Sequence, residues 1–171
     1  MRVAVVLLVV FATMLVEAGV SRSHERILRA AGAIEPPGDV FGAMRIAYPA
    51  SFLLMAGEAL LRGTQGAVLV PGLVIFALAK ALKWWAIVSL GDRWSFRVLV
   101  LPGAALIDTG PYRLLRHPNY LAVFGELIGT AVMLAVPWTG TLASVGFFAL
   151  VRARIRVEER ALGLSGHASS L

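Results

Sequence analysis

Apolar residues fall in five blocks along the chain, over residues 3–20, 46–61, 67–90, 121–136 and 141–151. Blocks of this length predict helices that sit in lipid. The third block, at about 1.5 Å of rise per residue, reaches about 36 Å and crosses a bilayer with some tilt. The last two are short for full crossings. Pro137-Trp138-Thr139-Gly140 between them predicts a tight helical hairpin, fully spanning or re-entrant, with both ends on one side. The expected fold class is therefore all-α, a polytopic membrane bundle of about five segments whose last two form a hairpin.

The polar positions orient that bundle. Residues 21–45 carry Arg22, Arg26, Arg29 and Arg45; residues 91–120 carry Arg93, Arg97, Arg113 and Arg116; and Arg152, Arg154, Arg156 and Arg160 follow the last block. The opposite side holds only Arg2 and Arg62. A bias of this sign places the three basic stretches in the cytoplasm and the N-terminus outside. Glu35-Pro36-Pro37-Gly38-Asp39 reads as a loop within the first of them.

Composition supports the membrane reading. The chain has 171 residues, 58% hydrophobic and 15% charged, with mean hydropathy +0.80. Its length fits a single domain, divided into N-terminal membrane helices over 1–89, a core over 90–162 and a tail over 163–171. The net charge of +6 is explained by the membrane-flanking arginines and does not point to nucleic acid. Without cysteine there is no disulfide, thiolate metal site or Cys nucleophile. Met1-Arg2 before an apolar run resembles a signal peptide, but the rest of the chain is also membranous, so the segment is read as a retained first helix.

Charged residues that interrupt the apolar blocks include Glu58, Lys80, Lys83 and Glu126. Charge inside lipid is costly, so each is expected to face protein, water or a partner. Lys80 and Lys83, beside Trp84 and Trp85, read equally as snorkelling interfacial lysines or as functional groups. Glu58 is a candidate partner for a lysine. Glu126 lies six residues beyond Tyr120, in the helix that the next motif opens.

That motif is Gly110-Pro111-Tyr112-Arg113-Leu114-Leu115-Arg116-His117-Pro118-Asn119-Tyr120. Gly110-Pro111 is a turn signal, and Pro118 suits the first turn of a helix. Free N–H groups at that helix start, with Arg113 and Arg116 near, suit a carboxylate or phosphate. Tyr112 and Tyr120 offer faces to an aromatic base or a cation. A second polar run, Arg152-Ala153-Arg154-Ile155-Arg156-Val157-Glu158-Glu159-Arg160, leaves the last block. Arg154 and Glu158 share a helix face, and the Glu158–Glu159 pair offers acceptors to an ammonium or to hydroxyls; the plain alternative is a solvated, salt-bridged helix end. His117 admits a metal-ligand or general-base reading, but His24 and His167 stand in no metal-ligand spacing to it.

Taken together, Leu90-Gly91-x-x-Trp94-Ser95, Leu106-Ile107-Asp108-Thr109-Gly110-Pro111-Tyr112-Arg113, Arg116-His117-Pro118-Asn119-Tyr120 with Glu126, and Arg154-x-x-x-Glu158-Glu159-x-x-Leu162 resemble the isoprenylcysteine carboxyl methyltransferase family. The resemblance runs from about Leu90 to Leu162. It implies S-adenosylmethionine as methyl donor, held at the cytoplasmic face, with no metal. It places Tyr112, Arg116, His117, Pro118, Asn119, Tyr120, Glu158 and Glu159 in the donor pocket. Leu106 and Ile107 join them on a strand-like approach over residues 104–107, through backbone contacts. Arg154 is implied to face the acceptor and, with Glu126, makes up the catalytic candidates.

The implied acceptor is lipophilic, a prenylated cysteine carboxylate or the hydroxyl of a long-chain phenol or pyrone. A carboxylate needs no base, whereas a phenol or enol would use one, for which Glu126 and His117 are the candidates. The implied partners are the bilayer and this acceptor, with oligomeric state open. Rival readings are an NADPH-dependent membrane steroid or enone reductase, a phospholipid N-methyltransferase, and a small non-enzymatic transporter or assembly factor. The first walls of polarity, 110–120 and 154–159, are expected to meet across the hairpin.

Overall fold

The structure, a computed structural model, describes residues 2–64 and 70–162. The described residues form five α-helices: α1 Arg2–Ala30, α2 Phe41–Leu61, α3 Val70–Leu90, α4 Pro118–Leu134 and α5 Pro137–Ala161. Short 3-10 turns stand at Gly91–Arg93 and Gly110–Arg113. No strand occurs among the described residues; one isolated antiparallel bridge joins Ile34 to Val100. The all-α class is observed, and two helices, α1 and α3 with its 3-10 extension, are long and apolar enough to cross a membrane. The start of the third block at 67–69, His167 and the 163–171 tail lie outside the described residues.

Several boundaries differ from the sequence expectation, each for a local reason. α1 continues ten residues past its apolar block, to Ala30. No glycine or proline interrupts it there before Gly32, and Ser21 Oγ donates to Glu25 one turn on, at 2.8 Å. The hairpin turn is Ala135-Val136, not Pro137–Gly140. Ala135 caps α4 in the left-handed conformation (φ 53°), and the Val136 N–H reaches back to the Ala131 carbonyl at 2.9 Å. Pro137 then begins α5, where a missing N–H costs nothing. The 104–107 approach is not strand-like. The extended pairing stops at Val100, where Pro102-Gly103 cannot continue a ladder, and Gly103 takes φ 75°.

α3 and α4 pack closest. A Cβ placed on Gly129 would come 2.7 Å from the Phe76 backbone nitrogen, and one on Gly125 would come 2.7 Å from Ala79 Cβ. Only glycine permits that approach, as at small-residue contacts between membrane helices. The core joins all five helices through Val6, Val10, Phe52, Met55, Phe76, Leu127, Phe147 and Val151. Outward faces remain apolar, with Leu8, Leu15, Leu53, Leu78, Val88, Leu142 and Val145 exposed, which suits lipid rather than water.

The charges inside the blocks do not snorkel. Lys80 Nζ lies 2.6 Å from Glu17 and 3.0 Å from Glu126, and Lys83 Nζ lies 2.6 Å from Glu126 and 3.2 Å from Glu17. Their side chains are 11% (Lys80), 2% (Lys83), 1% (Glu17) and 0% (Glu126) exposed. The Tyr48 hydroxyl donates to Glu126. Glu58 pairs with no lysine. It bonds Arg62 one turn away at 2.8 Å and caps α5, accepting from the Thr139 N–H at 2.7 Å and its hydroxyl at 2.6 Å.

Candidate functional site

Three stretches that are distant in sequence meet at one end of the bundle: the α1–α2 connection, residues 91–117, and the last turns of α5. Arg97 joins the first two, 2.6 Å from Glu35 and 3.5 Å from Glu25. The Phe96 N–H donates to Ser21 Oγ at 2.8 Å, and Val98 N–H to Asp39 at 3.2 Å. Burial alone would raise the Glu35 carboxyl, but hydrogen bonds from Arg29 and Arg97 outweigh it and hold the group below its ordinary value. The twelve arginines of the three basic stretches therefore cluster toward the same end.

Within that end, α4 and α5 face each other after the two-residue turn. His117 precedes α4, and Pro118 occupies its first position. Tyr120, in the first turn, donates its hydroxyl proton to Glu158 at 2.9 Å and accepts from Arg154 Nε at 2.9 Å. His117 lies 3.4 Å from Glu159 and 3.8 Å from Glu158, and its ring packs on Tyr120 with centroids 5.6 Å apart. The 110–120 and 154–159 walls therefore meet, and they do so through Tyr120.

Arg154 and Glu158 share a face but are not paired to each other; Tyr120 stands between them. Arg154 instead makes a buried ion pair with Asp39 at 3.0 Å, and its remaining nitrogen donates to the Phe96 carbonyl. One guanidinium thus ties α5 to α4, to the α1–α2 loop and to the 91–117 stretch. Asn119 accepts from the Trp94 indole at 3.4 Å. Burial and the nearby Glu158 charge hold the Tyr112 phenol above its ordinary value, so it stays neutral at physiological pH.

Other expected site residues lie apart from this cluster. Arg113 and Arg116 are exposed, and among the described residues neither pairs with Glu158 or Glu159. Leu106 is exposed and Ile107 half-buried, and neither hydrogen bonds to the cluster. Glu126, a turn and a half further into the bundle than Tyr120, is held by Lys80, Lys83 and Tyr48. Sequence reasoning missed Asp39 and the Trp94 contact. The signal for Asp39 was an acid after Pro36-Pro37-Gly38, in a connection whose only charges are Glu35 and Asp39, opposite an arginine that burial obliges to find a carboxylate.

The chemical character of the cluster is acidic and partly open. Glu158 and Glu159 are 31% and 30% exposed in their side chains, and among the described residues no lysine or arginine pairs with either. Two carboxylates beside a histidine and tyrosine rings suit a cationic ligand. A polyphosphate would be repelled there. The S-adenosylmethionine sulfonium and ammonium fit that donor set. No group of metal-ligating side chains occurs among the described residues.

Residues 72–163 match the isoprenylcysteine carboxyl methyltransferase family, a class of membrane-integral methyltransferases that use S-adenosylmethionine. The chain belongs to this family. It is 32% identical over 152 residues to the uncharacterized protein YpbQ of Bacillus subtilis (strain 168), covering 85% of this chain and 88% of that protein. It is 27% identical over 145 residues to an uncharacterized protein of Haemophilus influenzae, covering 84% of each. No solved structure matches the chain. The family assigns methyltransferase activity in a membrane setting.

Proposed function

We propose that the protein transfers a methyl group from S-adenosylmethionine to a carboxylate or hydroxyl oxygen of a lipophilic acceptor, at the cytoplasmic face of a five-span bundle. The observation that carries this reading is the uncompensated acidic pair, Glu158 and Glu159, against His117 and Tyr120 in a chain of this family. The donor supplies an activated methyl on a sulfonium. Glu158, Glu159 and the tyrosine faces hold its cationic groups, and Tyr112, Pro118 and Asn119 line the same end. The bias of arginines toward the three basic stretches supports this orientation.

The rest of the work is positioning, because methyl transfer is an in-line displacement. Arg154 holds the Tyr120 hydroxyl, and among the described residues two of its five N–H groups have no partner and are assigned to an acceptor oxygen. A carboxylate acceptor needs nothing more. For a phenolic or enolic acceptor, His117 is the group at the cluster able to take a proton, with Glu159 orienting its ring. The exposed apolar flanks of the helices admit the acceptor tail from the bilayer.

Titration calorimetry of the full chain in detergent tests this. S-adenosylhomocysteine is expected to bind and NADPH is not. Binding of NADPH with no heat from S-adenosylhomocysteine would replace the methyltransferase reading by the reductase one. Transfer of labelled methyl groups to a farnesylated cysteine derivative, a long-chain resorcinol and phosphatidylethanolamine then separates carboxylate, hydroxyl and amine acceptors.

A further inference from the structure

The bundle interior holds ionisable groups that the proposed chemistry does not use. Glu17 of α1, Lys80 and Lys83 of α3 and Glu126 of α4 alternate in sign around a closed set, each lysine touching both carboxylates at 2.6–3.2 Å. The formal charge sums to zero. Tyr48 of α2 adds its hydroxyl to Glu126, and its ring packs on Phe147 of α5 at 5.3 Å. Every helix is thereby tied to one polar centre within the apolar blocks. A charge there has no water to fall back on, so any rotation or slide of one helix leaves an ion unpaired.

Resting on the methyltransferase reading, we propose that this four-charge set is a positioning device that fixes the rotation and depth of α4. Glu126 is accordingly a positioning residue rather than the proton acceptor of the reaction. It stands six residues after Tyr120 on the same helix, about 9 Å along the axis. Both of its oxygens are occupied by lysines, and it is fully buried. Holding Glu126 holds Tyr120, and Tyr120 is the residue through which Arg154 and Glu158 meet.

The test compares Glu126→Gln, Lys83→Met and the double variant, each as the full chain in detergent. The single variants leave one buried charge uncompensated; the double removes a pair and keeps the Glu17–Lys80 contact. Each single variant is expected to bind S-adenosylhomocysteine at least about tenfold more weakly than the unmodified chain, because breaking a buried pair is costly whereas removing both members is nearly neutral. The double is expected to return to within about threefold, with an unchanged pH profile of methyl transfer to the farnesylated cysteine derivative or the resorcinol.

A double variant that binds S-adenosylhomocysteine normally but transfers no methyl to either acceptor would make Glu126 the base and overturn the proposal. Normal binding by both single variants overturns it equally. If the singles do not fold, recovery of folding, binding and transfer in the double still supports the proposal, and failure of the double to recover them refutes it. The unmodified chain is the control for the underlying reading: no S-adenosylhomocysteine binding there defeats the methyltransferase assignment itself.

Discussion

Two pairs of carboxylates, one inside the bundle and one at its basic end, both engage α4 and differ in balance. Inside the bundle, Glu17 and Glu126 are matched one for one by Lys80 and Lys83; three of the four are buried and Lys80 is nearly so. At the basic end, Glu158 and Glu159 are about a third exposed, and among the described residues their side chains meet His117 and the Tyr120 hydroxyl. The first set is complete as it stands. The second has no paired lysine or arginine among the described residues, which is what the proposed function uses. Under the proposed function similar residues do different work, and charge balance together with access is what distinguishes the structural set from the proposed ligand site.

The sharpest way to break that comparison is at the open cluster. Glu158→Ala is expected to weaken S-adenosylhomocysteine binding by about a hundredfold or more, since a charge-assisted bond and the Tyr120 contact are lost together. Helix content should be retained, and calorimetry with circular dichroism on one sample checks both. In contrast, Glu17→Gln should act on stability. It leaves two lysines sharing one carboxylate, and a loss of about 3 kcal/mol in detergent unfolding is expected. If Glu17→Gln instead spares stability and removes ligand binding, the division between the two clusters is wrong.

Asp39→Asn comes next. It keeps the shape but removes the charge facing Arg154, and a loss of about 1–3 kcal/mol is expected, with Tyr120 less firmly held. The same unfolding assay measures it, alongside a moderate drop in donor affinity.

The smallest effect concerns pH. The Glu35 carboxyl is held below its ordinary value, so its contribution is present above the unfolded pKa, about 4.3, and is lost as pH falls through the folded value. Acidification below that range should loosen the 91–117 stretch before the bundle melts. Limited proteolysis at stepped pH reads this out, and Glu35→Gln should abolish the pH step.

Legibility in the sequence followed the type of signal. Long apolar blocks and the grouping of arginines gave five helices and a single polar end, because helix-forming runs and charge clusters are written locally. The meeting of His117 and Tyr120 with Glu158 and Glu159 was legible from the two motifs. The partners of Lys80 and Lys83 were not, since Glu17 lies 63 residues from Lys80 in the chain, and which helices adjoin is a property of packing. Arg154 was expected beside Glu158, four residues away, but found Asp39, which lies 115 residues distant. A short-range pairing rule cannot see a loop that folds over a helix end. The hairpin was misplaced by two residues because Pro137 marks a helix start as readily as a turn.

The two-residue turn at Ala135-Val136 also sets a phase. Tyr120 and Glu158 are read off two helices that share one origin, and each added residue in a helix turns everything beyond it by about 100°. One insertion between Ala135 and Glu158 would swing the carboxylate from the histidine toward the lipid flank; one in α4 would do the same to Tyr120. The spacing between those two residues is therefore a clock setting, and insertions of about seven residues, two full turns, would keep it only if made in both helices, since in one alone they also move the residue about 10 Å along the axis.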